Sequence, residues 1–233
     1  MRRFLERLTV LTLLAAAVTP AFAADNELSE QEKRDGWVLL FDGKSPQGWV
    51  SGGKPLAAAN VRDGAINAHK TGAYVTYHRE KYSDFVLSCD FKLTKGGNSG
   101  IFVRVGDRAD PVQTGLEIQL LDSAGREKPG KHDCGALYDV VAPTVNAARP
   151  AGEWNHVEIT VVKNVVRVVL NGKQVVDTDL DRWTEPGKNP DGTKNKFKTA
   201  LKDMPREGHV GLQDHNSPVL FKNIRIKRMK AER

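Results

Sequence analysis

The chain has 233 residues, 39% of them hydrophobic, and a formal charge of +6. That is enough apolar material for one ordinary core and too little for a bundle of membrane spans. The basic residues are dispersed or gathered in segment 188–202, with no basic helix and no aromatic–basic alternation, which excludes the common nucleic-acid-binding classes.

The first residues read as an export signal. Arg2, Arg3 and Arg7 form a basic start, 8–18 an apolar core, and Ala21-Phe22-Ala23 a small-x-small cleavage site. The apolar core is too short for an anchor. Residues 1–23 are therefore expected to be a cleaved signal peptide and 24–233 a single exported domain, periplasmic or secreted. Three arginines and one glutamate leave with the signal, so the charge falls from +6 to +4.

Strands 37–41, 61–68, 74–77 and 84–93 come next, bounded by Gly, Asp or Lys turns. In 84–93, Phe85, Leu87, Cys89, Phe91 and Leu93 alternate with Val86, Ser88, Asp90 and Lys92. Cys89 thus belongs to a core, and two free thiols are expected rather than a bridge to Cys134. Two cysteines without matching histidines give no zinc signature. A glycine-dense turn, Lys95-Gly96-Gly97-Asn98-Ser99-Gly100, leads into a strand at 101–105. Further strands are expected at 115–122, 136–141, 154–163, 165–170, 174–178, 209–213 and 219–227, with Asn171-Gly172 as a hairpin turn. About a dozen short strands and no convincing helix of three turns predict an all-β fold, a jelly-roll sandwich of two antiparallel sheets. Trp49, Trp154 and Trp183 are read as core or rim packing.

Segment 115–122, GLEIQLLD, has two different faces. Leu116, Ile118 and Leu120 share one side; Glu117 and Gln119 share the other, roughly 6–7 Å apart. In 101–105, Phe102 and Arg104 oppose Ile101, Val103 and Val105. His209, Gln213 and His215 oppose Val210 and Leu212, and Tyr138 opposes Leu137 and Val141. If these strands lie side by side, one face collects Arg104, Glu117, Gln119, Tyr138, Gln213 and His215, with Asn98, Ser99, Asp122 and His132 at the rim. A polar groove of this kind suits a carbohydrate.

Several motifs stand in one order: Leu40-Phe41-Asp42-Gly43 with Gly48-Trp49, Tyr82-Ser83-Asp84-Phe85, Gly97-Asn98-Ser99-Gly100-Ile101 with Arg104, Gly135-Ala136-Leu137-Tyr138, Trp154-Asn155, Gly208 through His215, and Phe221-Lys222-Asn223-Ile224. On these the chain resembles the 3-keto-disaccharide hydrolase family, also described as 3-keto-glucoside 1,2-lyase and 3-keto-2-hydroxyglucal hydratase. The resemblance implies a concanavalin-like jelly roll, export, and action on 3-keto-glucosides or 3-keto-disaccharides, with a separate sugar 3-dehydrogenase to supply the ketone. Cys134 departs from the pattern, which more usually has a hydroxyl residue there.

Ordinary glycosidases need two carboxylates about 5–10 Å apart, and jelly-roll glucanases repeat acids along one strand. Here that strand offers Glu117, Gln119 and Leu121. A 3-keto sugar needs only one base for its acidified C2 hydrogen, an electropositive group for the developing oxyanion and a proton donor. Glu117 is the candidate base, Arg104 the oxyanion partner, and His215 or Tyr138 the donor. Asn98, Ser99, Gln119, Asp122, His132 and Gln213 are candidates for substrate binding. The sequence requires no cofactor, although a divalent metal on Glu117, Asp122 or His132 would be an alternative electrophile. A non-catalytic sugar-binding module and a conventional glucanase are the competing readings.

Overall fold

The computed structural model describes residues 24–229; the expected signal peptide lies outside the described residues. Fourteen strands build it among these residues: β1 (Trp37–Leu39), β2 (Trp49–Ser51), β3 (Lys54–Pro55), β4 (Val61–Arg62), β5 (Ala65–Asn67), β6 (Val75–Tyr82) and β7 (Phe85–Leu93) in the first half. The second half supplies β8 (Asn98–Val105), β9 (Leu116–Leu121), β10 (Trp154–Val162), β11 (Val165–Leu170), β12 (Lys173–Asp179), β13 (Gly208–Gln213) and β14 (Val219–Arg228). They form two antiparallel sheets. One runs β12-β11-β10-β7-β14-β5-β4 with β1 beside β14, and the other runs β3-β2-β6-β13-β8-β9. This is the jelly-roll sandwich expected from the strand pattern.

The core lies between the sheets. From β7, Phe85, Leu87, Cys89, Phe91 and Leu93 point into it. They meet Ile101, Val103, Ile118 and Leu120 from the opposite sheet, with Phe221 and Ile226 completing the wall. Each such large apolar side chain contributes about 1.5–3 kcal/mol by leaving water. Cys89 and Cys134 are both buried and free. Asn171 and Gly172 have φ of 50° and 79°, the left-handed pair that a two-residue hairpin between β11 and β12 requires.

Three expectations are corrected here. The run 61–68 is not one strand: Asp63 and Gly64, with φ of 50° and 70°, fold it into the β4–β5 hairpin. Segment 136–141 is not a strand either. Asp139 takes φ 66°, and Leu137 and Val141 exchange backbone hydrogen bonds across the resulting turn. Its first half nonetheless lines β9, because Ala136 O accepts from Gln119 N–H and Tyr138 N–H donates to Glu117 O. The third correction is β8, where Val103 and Arg104 together oppose Val210, a bulge between the pairs Phe102–Gly211 and Val105–His209. Arg104 sits at φ 52°. The extra residue reverses the parity, so Val105 joins Phe102 on the outer face and Arg104 turns inward.

The outer faces of the two sheets differ. On β10 the burial alternates, as for a sheet facing water, whereas every residue of β13 is buried and only the ends of β8 and β9 are less so. Segments 106–115 and 184–207 fold back over this second outer face. Gln113 Nε2 donates to Lys196 O at 2.9 Å, and Gln113 Oε1 accepts from Lys198 N–H at 2.9 Å, tying the two together. The covered face is where polar side chains are buried.

Candidate active site

Glu117 and Gln119 project from β9 onto this covered face, 5% and 3% exposed. Glu117 Oε1 accepts from Gln213 Nε2 at 2.8 Å, and Lys196 Nζ stands 3.4 Å from its Oε2. Gly100 leaves the space for this carboxylate, and Gly211 the space for Val75. A Cβ on Gly100 would lie 2.5 Å from Glu117 Oε1, and one on Gly211 would lie 2.4 Å from Val75 Cγ1. The carboxylate therefore lies flat over β8, across from Phe102 in the strand register.

From Glu117 the polar groups run in two directions. Gln213 Nε2 also donates to Tyr74 Oη at 2.6 Å, while its buried Oε1 has no partner. On the other side, Gln119 Nε2 donates to Asn98 Oδ1 at 3.0 Å, and Asn98 Nδ2 lies 3.4 Å from His215 Nδ1. Lys196 sits 4.4 Å above the centre of the Tyr138 ring, and the His132 ring stacks on Tyr138 at 4.7 Å. Glu117, Gln119 and Gln213 thus gather where their strand parities put them, joined by His215, by Asn98 from the expected rim and by Tyr138, which its turn carries here, with His132 beside Tyr138.

Burial sets the charge balance. Loss of water pushes the Glu117 carboxyl up, opposed by the Lys196 charge and the Gln213 hydrogen bond. Loss of water pulls the Lys196 ammonium down, opposed by Glu117. Tyr74 is raised to about 12 by burial and then by the Glu117 charge, and Tyr138 is raised for the same two reasons. Both phenols stay protonated at neutral pH and can donate.

Other expected members are elsewhere. Arg104, 1% exposed, donates from Nε to Ser83 O at 2.8 Å and from Nη1 to Lys163 O at 2.6 Å. Its Nη2 pairs with Asp84 at 3.0 Å. It ties β8 to the facing sheet and does not reach Glu117's face, because the bulge redirects it. Ser99 shares the inward parity of Ile101 and donates to Gln213 O at 2.8 Å, so it is not on the rim. Asp122 Oδ2 accepts from Gly96 N–H at 2.8 Å and holds the turn before β8. Of the residues named for a metal alternative, Glu117 meets Lys196 and Gln213, Asp122 accepts from Gly96, and His132 Nε2 lies 3.2 Å from Asp139. Among the described residues no three His, Cys, Asp or Glu gather as a metal site.

Two residues of the site were absent from the sequence reading. Lys196 comes from the long connection before β13 and is the cation beside Glu117. Its one sequence signal is Phe197, a lone apolar residue among lysines, which is 2% exposed and docks the segment. Tyr74 lies just before β6, and its signal was only its position at the strand edge.

Residues 36–227 match the family described as the 3-keto-alpha-glucoside-1,2-lyase-like domain. A protein of Bacteroides thetaiotaomicron named 3-keto-disaccharide hydrolase is 29% identical over 227 residues, covering 83% of this chain and 78% of the relative. Two solved structures from Parabacteroides distasonis, provisionally named as glycosyl hydrolases, share the fold. One is 30% identical with a TM-score of 0.69, over 83% of this chain and 99% of its own. The other is 28% identical with a TM-score of 0.72, over 89% of this chain and 100% of its own.

Proposed function

Because the chain belongs to the 3-keto-alpha-glucoside-1,2-lyase-like family, we propose that it is a carbohydrate-active enzyme that cleaves 3-keto-glycosides, with Glu117 removing the C2 proton. The observation that carries this reading is a lone buried carboxylate, held by Gln213 and Lys196, on a strand that offers no second acid beside it.

The ketone at C3 makes the C2 hydrogen acidic. Glu117 takes it as a proton, and the electron pair moves toward the C3 oxygen, where the Lys196 ammonium offsets the developing charge. The pair then returns, C1=C2 forms, and the C1–O bond breaks. The departing oxygen takes a proton from Tyr138 or His215. Water adds across C1=C2, hydroxyl to C1 and proton to C2, giving the free 3-keto sugar. Asn98, Gln119 and Gln213 hold sugar hydroxyls, and the unpartnered Gln213 Oε1 is a buried acceptor ready for one. Burial favours this chemistry, since a base raised toward the working pH abstracts a carbon-bound proton more effectively than an ordinary carboxylate.

The reading includes export by the 1–23 leader and a separate sugar 3-dehydrogenase that supplies the ketone. Among the described residues no helix is long and apolar enough to cross a membrane.

The test is to incubate the protein with 3-keto-maltose and with maltose, with and without chelator, in deuterated water, and follow sugar release. Release is expected from the keto substrate alone, with deuterium at C2 of the product. Product that keeps its C2 hydrogen in full would refute elimination, and turnover of maltose itself would point to direct hydrolysis.

A further inference from the structure

The covered face changes character along the sheet. Over β9, β13 and the start of β8 it is polar, whereas Val75, Tyr77 and Val50 of β6 and β2 pack with Phe102 and Val105 from the rest of β8 as an apolar cluster separate from the main core. Beside that cluster is a pocket of about 570 Å³ whose lining includes Val50, Val75, Tyr77, Ala109, Pro111 and Val112. The size lies within the range of small-molecule sites, roughly 300–1,000 Å³. Its two charged lining residues, Arg108 and Asp110, are exposed. Tyr77 Oη lies 3.4 Å from Arg108 O, which fixes the aromatic ring against the 106–115 wall.

The pocket joins the Glu117 site through one residue. Tyr74 lines it, accepts from the Gln213 amide that also holds Glu117, and meets the Phe102 ring edge-on at 6.3 Å. β6 and β9 are three strand spacings apart in the sheet, a span of about 14 Å. A sugar ring seated over the Glu117–Gln213 pair therefore has the pocket within reach of a substituent on C1.

We propose that this pocket receives the leaving group, and that the leaving group it fits is an aromatic, largely apolar aglycone rather than a second sugar. The proposal rests on the reading of Glu117 as the cleavage site. A second pyranose carries hydroxyls around its rim, and those that face Val50, Val75, Ala109, Pro111 and Val112, away from Tyr74, Arg108 and Asp110, would lose water without gaining a partner. A phenolic ring system loses nothing there: its faces meet aliphatic walls and the Tyr77 ring, and its single oxygen is the one bonded to C1.

The experiment compares kcat/KM for 2-naphthyl 3-keto-glucosides, both anomers, with that for 3-keto-maltose, and measures binding of free 2-naphthol by its fluorescence. Wild type and Ala109→Trp are used; Ala109 is exposed, so the larger ring fills the pocket from its solvent side. Val112→Asp, which puts a charge on the same wall, is the second variant, and thermal melts confirm that each folds. The wild type is expected to prefer the better naphthyl anomer by at least about tenfold, and both variants to lose that preference together with 2-naphthol binding. Equal use of the two substrates, a preference for 3-keto-maltose, or a naphthyl preference that survives in both variants would overturn the proposal. Failure to bind 2-naphthol would overturn it whatever the turnover. If neither substrate is cleaved while 2-naphthol binds wild type and not the variants, the cleavage reading fails and the apolar pocket stands.

Discussion

Gly100→Ala tests the placement of the base with a single added methyl. Gly100 is not among the residues with positive φ, so alanine meets no backbone objection. Its Cβ would stand 2.5 Å from Glu117 Oε1 and 2.9 Å from Cγ, where real Cβ contacts essentially never fall below 3.0 Å. The carboxylate must retreat by at least 0.5 Å on those distances, which strains its 2.8 Å hydrogen bond to Gln213. A misplacement near 1 Å costs about a hundredfold in rate, so half of that is expected to cost about tenfold, or ~1.4 kcal/mol of barrier. Stability should fall by roughly 0–2.5 kcal/mol. Alanine in a strand gains about 0.5–1 kcal/mol over glycine, against ~1–3 kcal/mol for overpacking. The assay is kcat on 3-keto-maltose beside the thermal midpoint. Glu117→Gln is expected to lose about 10²–10⁴ in turnover, and Gly100→Ala should cost nothing further in that background, since the methyl acts only through the carboxylate. Undiminished kcat in Gly100→Ala, or an equal loss in the Glu117→Gln background, would refute the reasoning.

Lys196→Met removes the cation beside Glu117, and kcat should fall about 10²–10³ as for loss of an oxyanion donor. The acid limb of the pH profile should also move to higher pH, because Lys196 is what holds the raised Glu117 pKa down; an unmoved limb would count against the pair. Arg104→Met should destabilise the fold by about 3 kcal/mol, since it removes the cation paired with Asp84 and the donors of two carbonyls. Denaturant midpoints measure this, and a stable, folded, inactive variant would return Arg104 to the chemistry. Glu117 also predicts a pH dependence of stability. Its folded pKa lies above its unfolded value of 4.5, so the native state binds more protons in that window. The contribution is complete below the unfolded pKa and is lost as pH rises through the folded one. Relative to Glu117→Gln, the wild type should therefore lose stability on going from about pH 4 to about pH 8.

Much of the fold was legible because it rests on alternation. The run from Phe85 to Leu93 and the two faces of 115–122 fall where a period of two puts them, and Asn171-Gly172 supplies the left-handed pair its hairpin needs. Parity also located Glu117, Gln119 and Gln213, and it would have excluded Ser99, which has the parity of Ile101. Arg104 was misplaced because a bulge adds one residue that no sequence marker announces: the left-handed position is an arginine, not a glycine. Tyr138 reached Glu117 even though its segment is a turn, since only Gly135–Tyr138 needs to lie along β9. Lys196 was hidden for a different reason. A loop residue has no period, and its place depends on Phe197 and Gln113 docking the segment. Gly100 and Gly211 were legible in principle, since they share the face of Phe102 and Gln213, where a side chain would otherwise fill the floor.

This division between strand and loop bears on how the site works. Glu117, Gln119 and Gln213 stand on paired strands whose backbone is fixed by ladder hydrogen bonds and by the core beneath. Lys196 hangs from segment 184–207, which has one short 3₁₀ turn and an isolated bridge between Lys188 and Lys194 and is tied to the 106–115 wall by the side chain of Gln113. The same wall encloses the apolar pocket. Changes in either segment therefore reach Lys196 and the apolar pocket without moving the strand that carries Glu117, because loops tolerate substitution that a strand register does not. The base and the sugar hydroxyl contacts would then be the fixed part of the site, and aglycone choice the part open to variation. Replacing Gln113 with alanine removes the hydrogen bonds that join the two segments, so it should weaken the Lys196 and pocket effects together while leaving the Glu117–Gln213 hydrogen bond in place.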